Sequence, residues 1–220
     1  MPDALTAAGA AVLLLAIAAI AFYTWFNREP EPTLPMGRGV LSPASGRVAV
    51  VLPYHLGQEP PVLPKGAWGR VRLVLSGAPR EGWVVAVVMS PLDVHVQRCP
   101  VDGEVRSVRH FPGWLRPAVL GTRELRALEN ERLEVSLHSP EFGPVKVVQV
   151  AGIVARRIRC DLEPGQRVAR GQRLGKILLG SMVVALLPTR DRGGRRLAPL
   201  VGRGDKVIAG ETVIARLRPK

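Results

Sequence analysis

From Ala7 to Phe26 the chain carries twenty consecutive apolar or small residues without a charge, AAGAAVLLLAIAAIAFYTWF. At about 1.5 Å per residue this makes roughly 30 Å of helix, the thickness of the hydrocarbon core of a bilayer. Hydrophobicity on every face separates the stretch from a soluble core helix, which shows a single apolar stripe. A cleaved signal peptide opens with basic residues, whereas MPDALTAAG carries an acid. Tyr23 and Trp25 stand at the end of the stretch as interfacial aromatics do, and Arg28 follows directly. The pattern predicts a single-pass transmembrane anchor over residues 4–27. The positive-inside bias places the remainder on the cytoplasmic side of the cell membrane.

Residues 28–39, REPEPTLPMGRG, form a Pro-rich linker that favours extended chain over helix. From residue 40 to 220 the pattern changes to short Val- and Leu-rich runs, interrupted by Gly and Pro every eight to twelve residues. Arg47–Leu52, Arg70–Leu75, Trp83–Met89, Val145–Val150 and Ser181–Leu187 read as strands, and Tyr54–Gly69 reads as a loop by composition. Only Thr122–Arg132 reads as a helix, a short one with Leu125 and Leu128 on one face. The segment GQRVARGQRL at Gly165–Leu174 reappears as GDKVIAGETV at Gly204–Val213. Each copy sets a glycine turn before a short strand and a second glycine turn before the next, as rolled β-sandwich barrels require. Lipoyl and biotinyl carriers use such turns around a modified lysine, and neither copy offers a lysine at a hairpin tip. The predicted fold class is therefore mainly β, a barrel-sandwich-hybrid-like domain with few short helices, preceded by one transmembrane helix.

With 47% hydrophobic residues the chain can bury a substantial core, which excludes a disordered tail or a fibre. Cys99 and Cys160 cannot build a disulfide framework or a cysteine zinc cage, and they suit a reducing compartment. Residues 28–220 hold all 31 Lys and Arg and 17 of the 18 acids, a net charge of +14. Nucleic acid is a poor match, because the charges are scattered and only six of the ten aromatics lie in this part. Anionic lipid headgroups suit a tethered basic body better, with an ordinary solvated surface as the alternative.

No phosphate loop follows a strand, and the histidines His55, His95, His110 and His138 show no metal-ligand spacing. MSPLDVHVQRCPVDGEV at Met89–Val105 is the densest polar stretch. Strand alternation would put Asp93, His95 and Gln97 on one face, with Asp93 able to orient the His95 ring. Gly180–Ser181 lies between two apolar runs and, on pattern alone, is a bulge or turn with an inert serine.

These pieces together resemble the phosphatidylserine decarboxylases, especially the short class that includes the archaetidylserine enzymes. The resemblance covers most of residues 25–187. It rests on WFNREPEPTLP at 25–35, SPASGRV at Ser42–Val48, the Met89–Val105 stretch, HFPGWL at His110–Leu115 and NER at Asn130–Arg132. VKVVQVAGIVARRI at Val145–Ile158 and GQRLGKILLGS at Gly171–Ser181 complete it. It implies a proenzyme that cuts itself between Gly180 and Ser181. Ser181 Oγ attacks the Gly180 carbonyl carbon, and elimination from the resulting ester leaves a pyruvoyl group made from Ser181. That group takes the electron-sink role of pyridoxal phosphate, so neither that cofactor nor a metal is needed. His95 matches the family histidine assigned to proton transfer during decarboxylation.

The implied partners are an anionic phospholipid substrate, the membrane and the two cleavage fragments held together, without nucleic acid; a homo-oligomer is compatible with the sequence. The reaction would convert phosphatidylserine, or an archaetidylserine-like lipid, to the ethanolamine lipid with release of CO2. Three positions depart from the family pattern. Ser45 replaces the Asp of SPADGRV, which assists self-cleavage in the longer class and so predicts slow or partial maturation here. Arg98 replaces a second His of the longer class, as is common in the short one, and Met182 replaces Thr or Ser. The competing reading is a non-catalytic, membrane-tethered lipid-binding or adaptor β-domain that has lost self-cleavage.

Overall fold

The computed structural model of the chain describes residues 4–57, 62–64, 70–72, 78–112, 131–151, 158–177 and 182–218. It opens on helix α1 (Ala4–Phe26). The strands that follow are β1 (Val40–Leu41), β2 (Gly46–His55), β3 (Val62–Pro64), β4 (Arg70–Arg72), β5 (Glu81–Val88), β6 (Val96–Arg98), β7 (Gly103–Phe111) and β8 (Arg132–Ser139). β9 (Gly143–Val150), β10 (Ile158–Cys160), β11 (Arg167–Val168), β12 (Arg173–Ile177), β13 (Met182–Pro188), β14 (Leu197–Pro199), β15 (Lys206–Val207) and β16 (Val213–Leu217) complete the body. The protein is mainly β, as its sequence pattern predicts, and α1 is the sole helix among the described residues.

Eight strands form one curled sheet in the order β11-β7-β8-β9-β13-β5-β2-β15. β13 lies at its centre, antiparallel to both β5 and β9, and all seven of its residues are buried. Alternate residues of β13 feed opposite faces: Val183, Ala185 and Leu187 enter the main core with Val85, Val87, Val145 and Val147. Met182, Val184 and Leu186 join a second cluster with Val84, Ala86, Val148 and Val150. Burial on both faces explains why this strand reads as an unbroken apolar run rather than an alternating one.

The sequence echo is a structural duplication. Its copies form β11–β12 and β15–β16, and β11 and β15 occupy the two opposite edges of the large sheet. Gly165 and Gly204 adopt φ values of 86° and 96°, a region where a side chain would strain the turn. Gly165 N donates to Val105 O and Gly204 N to Val48 O, each at 2.7 Å. The duplication extends upstream, because Ser42–Val48 (SPASGRV) and Cys99–Val105 (CPVDGEV) occupy matching places. Two three-stranded sheets, β1-β16-β14 and β10-β12-β6, complete the two halves.

Several segments differ from expectation. Tyr54 and His55 extend β2, and Val62–Pro64 pairs with Arg70–Arg72 inside and beside the expected loop. Pro64 is tolerated at the end of this two-stranded ladder, where a missing donor costs little. Arg132 opens β8 instead of closing a helix, and residues 122–130 of the expected helix lie outside the described residues. Of the expected strand 70–75, residues 73–75 also lie outside them.

The Pro-rich segment after α1 is extended, and it is strapped to the barrel. Arg98 Nη2 donates to Pro30 O at 3.0 Å, and Thr33 N donates to Glu211 Oε1 at 3.1 Å. Arg170 reaches the carbonyls of Pro35, Gly37 and Gly39 at 3.1, 2.9 and 3.3 Å. This strap fixes the end of α1 against one particular part of the body.

Candidate active site

The part that α1 meets contains His95. The Phe26 ring lies 4.3 Å from the imidazole, centroid to centroid, at an interplanar angle of 39°. The next two residues also dock. Asn27 Oδ1 accepts a 2.9 Å hydrogen bond from Lys176 Nζ, and Arg28 Nη2 donates to Leu92 O at 2.8 Å. Arg28 also stacks over Trp25 at 3.8 Å, wrapping its charge around the helix end. Three consecutive residues therefore bind three elements around one histidine.

His95 lies just ahead of β6 and is fully buried. Its Nδ1 is 2.8 Å from the carbonyl oxygen of Asp93. A carbonyl only accepts, so Nδ1 carries the proton and Nε2 of the neutral ring presents a lone pair. Nε2 has no hydrogen-bond partner among the described residues. Burial pushes the imidazole below its ordinary pKa; the Asp93 carbonyl and carboxylate oppose this, and the charges of Lys176 and Arg28 add to it. The ring is thus a neutral acceptor at pH 7.

The Asp93 side chain does not orient this ring, contrary to the strand-alternation expectation. Residues 91–93 turn, and β6 begins only at Val96. The Asp93 carboxylate accepts from Ser90 N at 2.7 Å and caps that turn, while its main chain holds the histidine. A Pro at 91 and an Asp three residues after Ser90 are turn chemistry, which overrides the alternating pattern.

Behind His95 runs a buried polar chain. Gln97 Nε2 donates to His95 O at 3.0 Å, and Gln149 Nε2 donates to Gln97 Oε1 at 2.8 Å. Both glutamines are fully buried, and Gln149 Oε1 has no hydrogen-bond partner among the described residues. An acceptor left in this condition costs about 1–3 kcal/mol, so the orphaned oxygen and the orphaned His95 Nε2 are both features that stability alone disfavours. Gln149 was missed by sequence reasoning, although a lone amide within the apolar run VKVVQV was a readable signal.

Gly180 and Ser181 lie outside the described residues, but their flanks are placed. Ile177 ends β12, and its N–H donates to His95 O at 3.2 Å. Met182 starts β13 between Val88 and Val150. Of the described residues that flank the dipeptide, Ile177 therefore stands beside His95 and Met182 at the start of the central strand. Among the described residues this region offers a buried neutral imidazole and a buried amide oxygen, Gln149 Oε1, on a strand paired with the apolar β13. No cluster of three or more metal-ligating side chains occurs among the described residues. Burial pushes the Cys99 thiol up to about 12, so it is protonated and a poor nucleophile.

Ser45, the departure in SPASGRV, is buried and its Oγ accepts from Ala209 N at 3.0 Å. At the matching place in the other half, Asp102 Oδ1 accepts from Arg170 N at 2.9 Å. The hydroxyl thus makes the same turn contact as a carboxylate. No hydrogen bond joins Ser45 to a histidine among the described residues. Arg98 spends its guanidinium on Pro30 O and, at 3.6 Å, on Glu31.

The buried imidazole, a neutral ring whose Nε2 has no partner among the described residues, lies at the end of a helix apolar enough to cross a bilayer, and such a ring is able to take up a proton. Comparison with known proteins supplies the enzyme class. A family model described as phosphatidylserine decarboxylase matches residues 19–215. The phosphatidylserine decarboxylase proenzyme of Paramagnetospirillum magneticum is 39% identical over 88% of this chain and 71% of its own. That of Chlorobaculum tepidum is 38% identical over 93% and 83%, and that of Nitrosomonas eutropha 36% identical over 96% and 91%. The chain belongs to the phosphatidylserine decarboxylase family, whose members are carboxy-lyases.

Proposed function

We propose that the chain is a self-processing, pyruvoyl-dependent phospholipid decarboxylase, organised as an anchor (4–27), a strap (28–39) and a catalytic body (40–220). Its substrate is phosphatidylserine or a lipid with the same headgroup, and its product is the ethanolamine lipid and CO2. The observation that carries this reading is the hydrogen bond from Ile177 N, four residues before Ser181, to His95 O at 3.2 Å, with Met182, the residue after Ser181, opening the central strand opposite Val88.

In maturation, Ser181 Oγ adds to the Gly180 carbonyl carbon and the 180–181 C–N bond breaks to give an ester. Loss of the Ser181 α-proton then breaks the Cβ–O bond, leaving a carboxylate on Gly180. Hydrolysis of the resulting terminal enamine releases ammonia and leaves the pyruvoyl group. When bound, that group supplies an electron sink for the pair left by departing CO2. His95 Nε2, an unoccupied acceptor in the neutral ring, takes up a proton and returns it to the carbon that has lost CO2. The apolar wall of Phe26 and the sheet excludes water from that carbon. Lys176 and Arg28, beside the ring, favour an anionic headgroup. α1 keeps the body at the cytoplasmic face of the membrane, where this lipid is presented.

Ser181→Ala removes the attacking oxygen and should abolish both cleavage and decarboxylation. His95→Ala should leave cleavage intact and lower decarboxylation by roughly 10²–10⁴-fold. On a denaturing gel the decarboxylase gives fragments 1–180 and 181–220, whereas the adaptor alternative gives one intact band.

A further inference from the structure

We infer that Gln149 receives the primary amine of the substrate, with its Oε1 and His95 Nε2 acting as a pair of buried acceptors for the amine N–H groups. The inference rests on the decarboxylase reading and adds to it a residue that selects the headgroup.

The direction of the polar chain fixes what its end can bind. His95 O can only accept, so Gln97 must turn its NH2 toward it, at 3.0 Å. Gln97 Oε1 then faces Gln149, which must also present its NH2, at 2.8 Å. The chain therefore ends on an oxygen, Gln149 Oε1. At the other side of the same histidine, the Asp93 carbonyl forces Nδ1 to donate and leaves Nε2 as an acceptor. Both termini ask for donors.

Four buried side-chain atoms lack a hydrogen-bond partner among the described residues. Two of them have an opposite charge close by: Glu141 Oε1 is 3.7 Å from Arg38, and Arg173 Nε is paired with Asp161. The other two are His95 Nε2 and Gln149 Oε1, and they belong to one connected unit. Gln149 stands opposite Val183, the second residue of β13, so its side chain lies where the strand following Ser181 begins. A primary amine carries several N–H groups on one atom and can serve two acceptors at once; a hydroxyl can serve one, and a quaternary ammonium none. Transfer of one ammonium proton to His95 Nε2 would leave the free amine, held by Gln149, and an imidazolium that keeps the proton for its later return to carbon.

The test uses the full-length chain in detergent micelles. Water-soluble dihexanoyl lipids with an ethanolamine or a choline headgroup are titrated in, and binding is followed by tryptophan fluorescence. The wild-type chain should bind the ethanolamine lipid roughly 10–100-fold more tightly, the worth of hydrogen bonds to a charged group. Gln149→Leu should weaken binding of the ethanolamine lipid by about that factor and leave binding of the choline lipid unchanged. Gln149→Glu, protonated in its buried setting, donates its O–H to Gln97 and keeps a carbonyl acceptor, so it should retain the preference. A Gln149→Leu chain that binds the ethanolamine lipid as tightly as wild type, or that loses both lipids equally, would overturn the assignment. The two claims fail separately: an uncleaved, inactive wild-type chain removes the decarboxylase reading, while a cleaved, active chain whose ethanolamine-lipid binding is unmoved by Gln149→Leu removes Gln149 alone.

Discussion

Phe26, the last residue of the apolar helix, covers the ring of His95 at a centroid distance of 4.3 Å. The helix, apolar enough to cross a bilayer, thereby also forms part of the wall around His95. Phe26→Ala should open His95 to solvent and let its pKa rise toward the ordinary value of about 6.5, whereas Phe26→Leu should shift it less. Histidine-labelled NMR titration in micelles measures this directly. Unchanged titration in the alanine variant would show that Phe26 does not seal the ring.

The depressed His95 pKa has a defined pH signature. In the proposed mechanism the neutral ring is the working form, so decarboxylation should hold as pH falls through 6.5 and fail only below it. Stability follows the same sign. Below about 6.5 the unfolded chain binds a proton that the folded His95 resists, so the folded state loses stability as pH falls, and above that value this group adds no slope. The melting-temperature loss between pH 7.5 and 5.5 should be smaller in His95→Gln than in wild type.

Ser45 and Asp102 cap equivalent turns, through Ala209 N and Arg170 N. Ser45→Ala should orphan a buried amide and cost about 1–3 kcal/mol, read from urea unfolding of the detergent-solubilised chain. Ser45→Asp should cap the turn as Asp102 does and leave the half-time of self-cleavage close to that of the natural sequence. If residue 45 acted as a triad acid does, restoring the carboxylate would instead speed cleavage by roughly 10²–10⁴-fold.

The sequence was most readable where a single local pattern decides the structure. Uniform hydrophobicity marked α1, and the glycine spacing of the 165 and 204 segments marked the duplicated turns. His95 stood out only through its surrounding motif. What local pattern could not supply were partnerships set by register. Gln97 and Gln149 are 52 residues apart and meet only because the small and large sheets bring β6 and β9 together. Phe26 looked like the end of an anchor, and its contact with His95 depends on the strap that follows it. Strand alternation does not reach Asp93, because the chain turns at residues 91–93 and β6 begins only at Val96.

The central claim is tested most directly by the intact masses of the purified full-length protein under denaturing conditions. The account predicts two chains, residues 1–180 and residues 181–220, with the second lighter by one ammonia than a chain beginning with serine and resistant to amino-terminal sequencing. A single chain of 220 residues, or a second fragment with a free amino-terminal serine, would contradict it.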